Sequence, residues 1–377
     1  CGLAPNIESL VLARFVQGLC GAGLLPLGQT ALQTVYPPQL LSRAFAMLGM
    51  GVMVGPILGP SLGGWLTDEY GWRSVFYINV PFVLLALTGL SLTLRGTADP
   101  APRRFDRLGF ILLVLTIVPL QLALDRGQQL DWFDSAEIVV ECGIGLLAGW
   151  MFVVHMRTTD RPLFSPALAE NRNLMIAIAM SLLVGWPFMG AMVMLPQFLQ
   201  EVQGYPVVSA GLLLAPRGLG IMIGMLLVSR VGWRLDPRMI FSVGCVALSS
   251  GLFAFSFAPS DAPAWWLTAW LLWQGFGLGL VFVPLNTIGF ATLPPRLRTE
   301  GAALLTLARN LGSSVGIAVL VSRVTDDAAA SAQRLLETAH LDLSVADPSL
   351  IAWFGNELRR ESLVLAYANQ HVLLCVL

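Results

Sequence analysis

The chain has 377 residues, 56% of them hydrophobic and 12% charged, with a formal net charge of −1 and a mean hydropathy of +0.72. A soluble globular domain carries about 25% charged residues, so this composition excludes a soluble globule of the same length. The near-neutral balance also excludes the basic field that nucleic-acid binding requires.

The apolar residues come in runs of about 20, long enough to cross ~30 Å of hydrocarbon as helix. Charged and Pro/Gly-rich breaks divide them, in chain order, into spans near 10–34, 44–67, 74–94, 108–125, 137–156, 174–200, 210–229, 239–258, 264–292 and 302–322, with a partial further span from 368. The runs lack the alternation of a lipid-facing barrel, so the expected fold class is an all-α membrane protein. Residues 323–367 read as a long outer loop, in which "SAQRLLETAHLDL" has the pattern of an amphipathic surface helix. Basic residues are all arginine. One set of alternate loops holds Arg43, Arg95, Arg103, Arg104, Arg107, Arg157, Arg161, Arg172, Arg230, Arg234, Arg238, Arg296 and Arg298. The opposite short loops hold Arg73 and Arg126 alone. Thirteen against two places the first set in the cytoplasm.

Cys1, Cys20, Cys142, Cys245 and Cys375 stand singly, with no C-x-x-C, and His155, His340 and His371 are scattered. No disulfide framework, metal site or cofactor is expected from such spacing. An enzyme would need a cluster of His, Asp or Glu, or a Ser/Lys pair, at one depth, and a sensor would append a soluble module; the sequence offers neither.

Two stretches match. "QGLCGAGLLPLGQTALQTVYPP" runs over 17–38 and "QGFGLGLVFVPLNTIGFATLPP" over 274–295, an offset of 257. Both open on Gln-Gly, carry one central proline, and close on Pro-Pro before a basic loop. An even number of spans separates them, so they share orientation, as in parallel-repeat transporters. Gly55, Gly59 and Gly63 recur at i, i+4 and i+8, leaving one helix face without side chains, which favours close helix contact. Pro56 and Pro60 remove two backbone donors beside that face, and Gly64 extends it. Arg14, Gln17, Gly18 and Gly21 share another face, where Arg14 either turns inward to a partner or snorkels to the outer end. Arg217 and Arg309 also fall within spans, and each either lines a cavity or anchors helices through backbone carbonyls. Gln29, Gln197, Gln274 and Asn286 are the polar candidates for that cavity, with Trp186, Phe188, Met189, Met192 and Met194 as its adaptable wall.

These residues resemble a family. "RFVQGLCGAG" (14–23) looks like the fourth-helix signature of major facilitator superfamily transporters, and "GVMVGPILGPSLGG" (51–64) like the fifth-helix antiporter signature. "LPQFLQEVQGYPVVSAGLLLAPRGLG" (195–220) and "GAALLTLARNLGSSVGIAVL" (301–320) are similar to the fourteen-helix drug:proton antiporters of the EmrB/QacA type. The resemblance implies two pseudo-symmetric halves with two extra linking helices: 1–95 as the remainder of the first half, 96–160 as the linkers, and 161–377 as the second half. Matched to that pattern, the chain lacks about three leading helices and most of the last.

The function implied is multidrug efflux from a bacterial inner membrane, with an amphipathic small molecule exchanged for protons by alternating access. The alternative is a dedicated metabolite carrier on the same scaffold. Arg14, with Gln17 and Gly18, is the implied proton-coupling group, and the Gly55–Gly64 helix the implied antiporter element. The proton-carrying carboxylate is expected outside residues 1–377, with Glu201, Asp125 and Asp68 as candidates inside. The bilayer is the expected partner, with room for a periplasmic adaptor protein.

Overall fold

The computed structural model describes residues 1–93, 105–232, 234–259, 262–339 and 348–376, and among these residues there is no strand. The helices are α1 (Ile7–Gly21), α2 (Leu24–Val35), α3 (Leu41–Tyr70), α4 (Ser74–Tyr77), α5 (Asn79–Thr93), α6 (Arg107–Arg126) and α7 (Ala136–Thr158). They continue with α8 (Ala167–Glu170), α9 (Arg172–Gln197), α10 (Val207–Val231), α11 (Pro237–Phe255), α12 (Ala264–Phe290), α13 (Arg298–Ala339) and α14 (Pro348–Val376). Among the described residues, nine helical stretches are long and apolar enough to cross a membrane, and α3, with 30 residues, occupies the remaining expected span. Polar side chains close several N-termini: Asn6 accepts from the Ser9 N–H, Asp106 from Gly109, Asn171 from Leu174 and Asp236 from Arg238. Each satisfies a donor that the first helical turn leaves open. Arg95, Arg103, Arg104 and the border at residue 96 lie outside the described residues.

The matched stretches fold in register. After the first, a 3₁₀ turn spans Pro38–Leu40 and α3 starts at Leu41; after the second, a 3₁₀ turn spans Pro295–Leu297 and α13 starts at Arg298. Each pair of boundaries keeps the offset of 257 (38 to 295, 41 to 298). Proline explains the shared break, because it has no N–H to continue the helix and constrains the residue before it. The copies differ upstream: the first is interrupted at Ala22–Gly23 between α1 and α2, whereas α12 runs through unbroken.

Tight packing is concentrated in α9–α13. A Cβ on Gly275 or Gly279 of α12 would strike the Arg217 and Ile221 carbonyls of α10, and one on Gly220 the Leu272 carbonyl of α12. Likewise a Cβ on Gly185 of α9 would lie 2.7 Å from the Arg309 carbonyl of α13, and one on Gly316 would lie 2.8 Å from the Trp186 Cα. Backbone meets backbone there, as small residues permit in lipid. The expected contact at Gly55, Gly59 and Gly63 is not found: among the described residues nothing lies within 4 Å of a Cβ at any of the three. Gly64 alone approaches a neighbour, with Val208 Cγ2 at 3.7 Å. The spacing that leaves a helix face smooth does not supply a helix to cover it. The side chains of Pro56 and Pro60 lie outside what the structure describes.

The linking helices α6 and α7 pair through Gly145, whose missing side chain admits Leu120, and are tied at both ends. Arg126 pairs with Glu137 at one end. At the other, His155 Nε2 sits 3.0 and 3.1 Å from the Asp106 carboxylate oxygens. Burial pushes the Asp106 carboxyl up, but the Gly109 N–H, the His155 hydrogen bond and charge, and the Leu163 backbone together hold it below its ordinary value of 3.8.

The expected loop over 323–367 is helical wherever it is described; residues 340–347 lie outside. The 42 residues of α13 extend about 60 Å at 1.5 Å per residue, twice the hydrocarbon thickness. The span and the amphipathic segment as far as Ala339 are thus one helix, as the alanine-rich "DDAAASAQ" favours. In the same way α14 starts at Pro348 rather than near 368, and it returns along α13 with Gln370 Nε2 donating to Asp327 Oδ2 at 2.8 Å.

Two expectations follow from this packing. Gly312, where a Cβ would strike the Leu182 carbonyl, should not accept leucine: Gly312→Leu should cost about 3 kcal/mol, while Gly59→Leu should cost under about 0.5 kcal/mol. Thermal unfolding of the purified variants in detergent measures the difference, and equal losses would refute the assignment of the tight contacts. For Asp106 the folded carboxyl sits below its unfolded value, so its contribution is present above about pH 4 and is lost as pH falls through the depressed value. Unfolding followed between pH 6 and pH 3 should show Asp106→Asn losing part of the acid-side slope.

Candidate functional site

Gln29 on α2 donates from Nε2 to Asn286 Oδ1 on α12 at 3.4 Å, and both residues are buried. Their separation is 257, the offset of the repeat, so each is the other's counterpart. A residue that touches its own counterpart lies at the axis relating two copies. The surrounding contacts exchange in the same way. α2 packs on α13 and α3 packs on α12, and the register makes α2 the counterpart of α12 and α3 that of α13. Arg298 at the head of α13 donates from Nη1 to the Gln33 carbonyl in the last turn of α2 at 2.7 Å, supplying a donor to a helix end that lacks one. Phe45 of α3 stacks on Phe290 of α12 with centroids 6.0 Å apart. The crossing is sealed by side-chain tips. Asn286 Nδ2 also donates to the Phe282 carbonyl at 2.9 Å, while Gln29 Oε1 and both amide atoms of Gln33 have no hydrogen-bond partner among the described residues.

A cavity of about 80 Å³ lies between α3, α9 and α10, with Met53, Phe188, Met192, Leu214, Arg217 and Ile221 among its walls. Arg217 is 8% exposed and donates from Nη2 to the Phe188 carbonyl at 3.2 Å, while its Nε has no partner among the described residues. Arg217 thus lies in the lining of this cavity and bonds α10 to α9. Arg309 of α13 is equally buried, with its Cζ 4.7 Å from the Phe282 ring centroid. An arginine inside a membrane is retained only with such partners, and these two have neutral ones.

The remaining candidates disperse. Arg14 is exposed; its Nη1 donates to Gln17 Oε1 at 3.1 Å, and its Cζ lies 4.7 Å from the Phe76 ring centroid. The inward orientation considered for it is not observed, and Gly18 is exposed on the same helix. Gln197 is exposed at the end of α9, one residue past Pro196 of the cavity wall. Gln274 is fully buried against Gly251 of α11, with neither amide atom partnered among the described residues. Phe188 and Met192 line the cavity as expected, whereas Trp186 packs on Gly316. Sequence reasoning missed the Gln29–Asn286 pairing, although applying the repeat offset to Gln29 gives 286. It also missed Met53 and Arg298, for which no local signal exists.

Comparison with known proteins places this geometry. The family model described as Major Facilitator Superfamily matches residues 1–317. Multidrug export protein EmrB of Escherichia coli (strain K12) is 35% identical over 331 residues, covering 86% of this chain and 64% of that protein. Fatty acid resistance protein FarB of Neisseria gonorrhoeae is 33% identical over 334 residues, covering 85% of this chain and 63% of that one. The chain thus spans just under two thirds of the length of these curated relatives. Among solved structures, the proton:xylose symporter XylE aligns at 13% identity and a TM-score of 0.48, over 94% of this chain and 66% of that one, a likeness too slight to bear weight. With the family match covering residues 1–317 of this repeat-built helical bundle, the chain belongs to the Major Facilitator Superfamily.

Proposed function

We propose that the chain is the core of an efflux carrier that exchanges an amphipathic small molecule for protons by alternating access across a bacterial inner membrane. The observation that carries this reading is the contact between repeat counterparts Gln29 and Asn286. A two-lobed carrier must open one end of its central pathway while closing the other. A seal on the axis, made from equivalent residues of the two lobes, can part by rocking without breaking either lobe. At 3.4 Å the contact is longer than the usual range of about 2.7–3.2 Å, and even well-formed bonds of this kind in membrane proteins contribute about 0.6 kcal/mol on average, so the seal is cheap to open. EmrB's name as a multidrug export protein supports the export direction. The apolar cavity with one cationic group supports an amphipathic substrate.

Within this reading the division at 1–95, 96–160 and 161–377 stands as first half, linkers and second half. Arg14, paired with Gln17 at the surface of α1, is the candidate for proton coupling, and the uncovered Gly55–Gly63 face of α3 is the candidate sliding surface. Proton motive force drives the exchange without a cofactor, and a periplasmic adaptor is the proposed partner in export.

With the native cysteines replaced, Gln29→Cys together with Asn286→Cys should react with a short bifunctional thiol reagent and lose transport, while either single variant keeps it. Dye efflux from cells expressing the protein measures this, and full activity after cross-linking would eliminate the axial seal as a moving part. Arg217→Gln should lower efflux about tenfold or more at unchanged protein level, consistent with losing a charge-assisted contact; unchanged efflux would leave Arg217 as an anchor of α9 only.

A further inference from the structure

The turn between α12 and α13 leads into Arg298, whose Nη1 reaches the Gln33 carbonyl of α2 at 2.7 Å. The segment 159–171, which joins linking helix α7 to α9, ties this turn down at two points. At its start, Thr292 Oγ1 donates to Asn171 Oδ1 at 2.9 Å, and Asn171 Nδ2 donates to the Thr292 carbonyl at 3.2 Å. At its end, the Ser165 N–H donates to Glu300 Oε2 at 2.8 Å. Arg298 stands between the two ties, close to the second. The tying segment is itself fixed: Leu168 is buried in the core, Phe164 packs against it, and Asn171 accepts the Leu174 N–H as the cap of α9. It also leads back to the linking helices, because the Leu163 backbone hydrogen-bonds to the Asp106 carboxylate that His155 meets.

Pro37 and Pro38 of the first copy match Pro294 and Pro295 of the second, so proline shapes both turns alike. The ties differ. At the offset of 257 the counterparts of Thr292 and Glu300 are Val35 and Arg43, which offer neither a hydroxyl nor an acceptor side chain. Duplication therefore does not account for the two ties. An arginine gives up rotamer freedom to hold a single acceptor, so its contact is favoured where the backbone beneath it is already fixed.

We propose that residues 159–171 form a clasp through which the linking helices keep α2 closed on α13, with Asn171 and Glu300 as positioning residues for Arg298. The clasp rests on the reading of this crossing as the part that opens. Loosening either tie lets the turn shift and Arg298 withdraw from Gln33, while the backbone contacts of α9 with α13 and of α10 with α12 stay in place.

Gln33 is buried, and replacing its side chain keeps the carbonyl that Arg298 uses. With the native cysteines replaced, N-ethylmaleimide labelling of Gln33→Cys in inside-out membrane vesicles measures how often the crossing parts, since a buried thiol reacts only while it is exposed. Glu300→Ala should raise the labelling rate about threefold or more, the effect of one lost hydrogen bond. Thr292→Val, at an exposed position, should raise it too and carries the test if Glu300→Ala does not accumulate. Glu300→Gln still offers an acceptor oxygen and should stay near the parent rate. Arg298→Gln should also raise the rate, and adding Glu300→Ala to it should raise it no further. Ala247→Cys, buried in α11, should label at one rate throughout. The parent rate in Glu300→Ala and Thr292→Val, equal rates in Glu300→Gln and Glu300→Ala, an additive double variant, or a parallel rise at Ala247→Cys would each overturn the clasp alone. The parent rate in Arg298→Gln as well would overturn the clasp together with the axial seal.

Discussion

A polar group carried into hydrocarbon must bring its partner or find one there, because no water is available to replace it. The arrangement of this chain follows from that constraint. Gln29 and Asn286 find each other across the crossing of α2 and α12, Arg298 finds the last turn of α2, and Arg217 finds the Phe188 carbonyl. Several groups are left short, among them both amide atoms of Gln33 and Gln274. An unpartnered amide in an apolar setting costs roughly 1–3 kcal/mol by mutational estimates. Gln33 lies one helical turn from Gln29 at the same crossing, so its unmet hydrogen bonds make the sealed arrangement less favourable than its packing alone suggests. A seal whose members are only partly satisfied is one that a modest change in binding energy can open.

The glycine contacts set the opposite limit. Where α10 meets α12 and α9 meets α13, backbone lies against backbone, and those pairs cannot slide without losing many dispersion contacts at once. The helices α9 to α13 therefore behave as a unit on packing grounds. At the crossing of α2 and α3 with α12 and α13, contact is made by an amide pair, an arginine and two stacked phenylalanines. Relative motion is least costly where side-chain tips meet and most costly where glycines do. The uncovered face of Gly55, Gly59 and Gly63 belongs with the looser region.

Much of this was legible in the sequence. Hydropathy located the spans because the period of an apolar run and its length are local properties, and the Pro-Pro pairs fixed the 3₁₀ turns at Pro38 and Pro295 for the same reason. The continuation of α13 to Ala339 was missed because its end is set by pairing with α14, not by hydropathy. At Gly59 a smooth face predicts a capacity for contact, and among the described residues no neighbour uses it. Gln29 and Asn286 were each recognisable as buried polar residues, yet their partnership is visible only when the repeat register is treated as a spatial operation. Arg14 shows the converse limit: sequence placed it inside a span, whereas its contacts with Gln17 and Phe76 depend on the tertiary arrangement.

The two buried arginines then bear on what the central region accepts. Arg217 and Arg309 are each 8% exposed, and their partners are a carbonyl and an aromatic ring, which orient a guanidinium without cancelling its charge. At a low effective dielectric such a charge acts over longer distances than in water, so Arg217 adds positive potential to the cavity between α3, α9 and α10, and Arg309 adds it beside Phe282 of α12. Acidic groups contributed by substrate or protein are favoured in their ionised form by that potential, and cations are disfavoured. On the antiport reading proposed above, the displacement that opens the axial crossing would also change the distance over which Arg217 and Arg309 act, and would so link protonation to conformation with no dedicated relay.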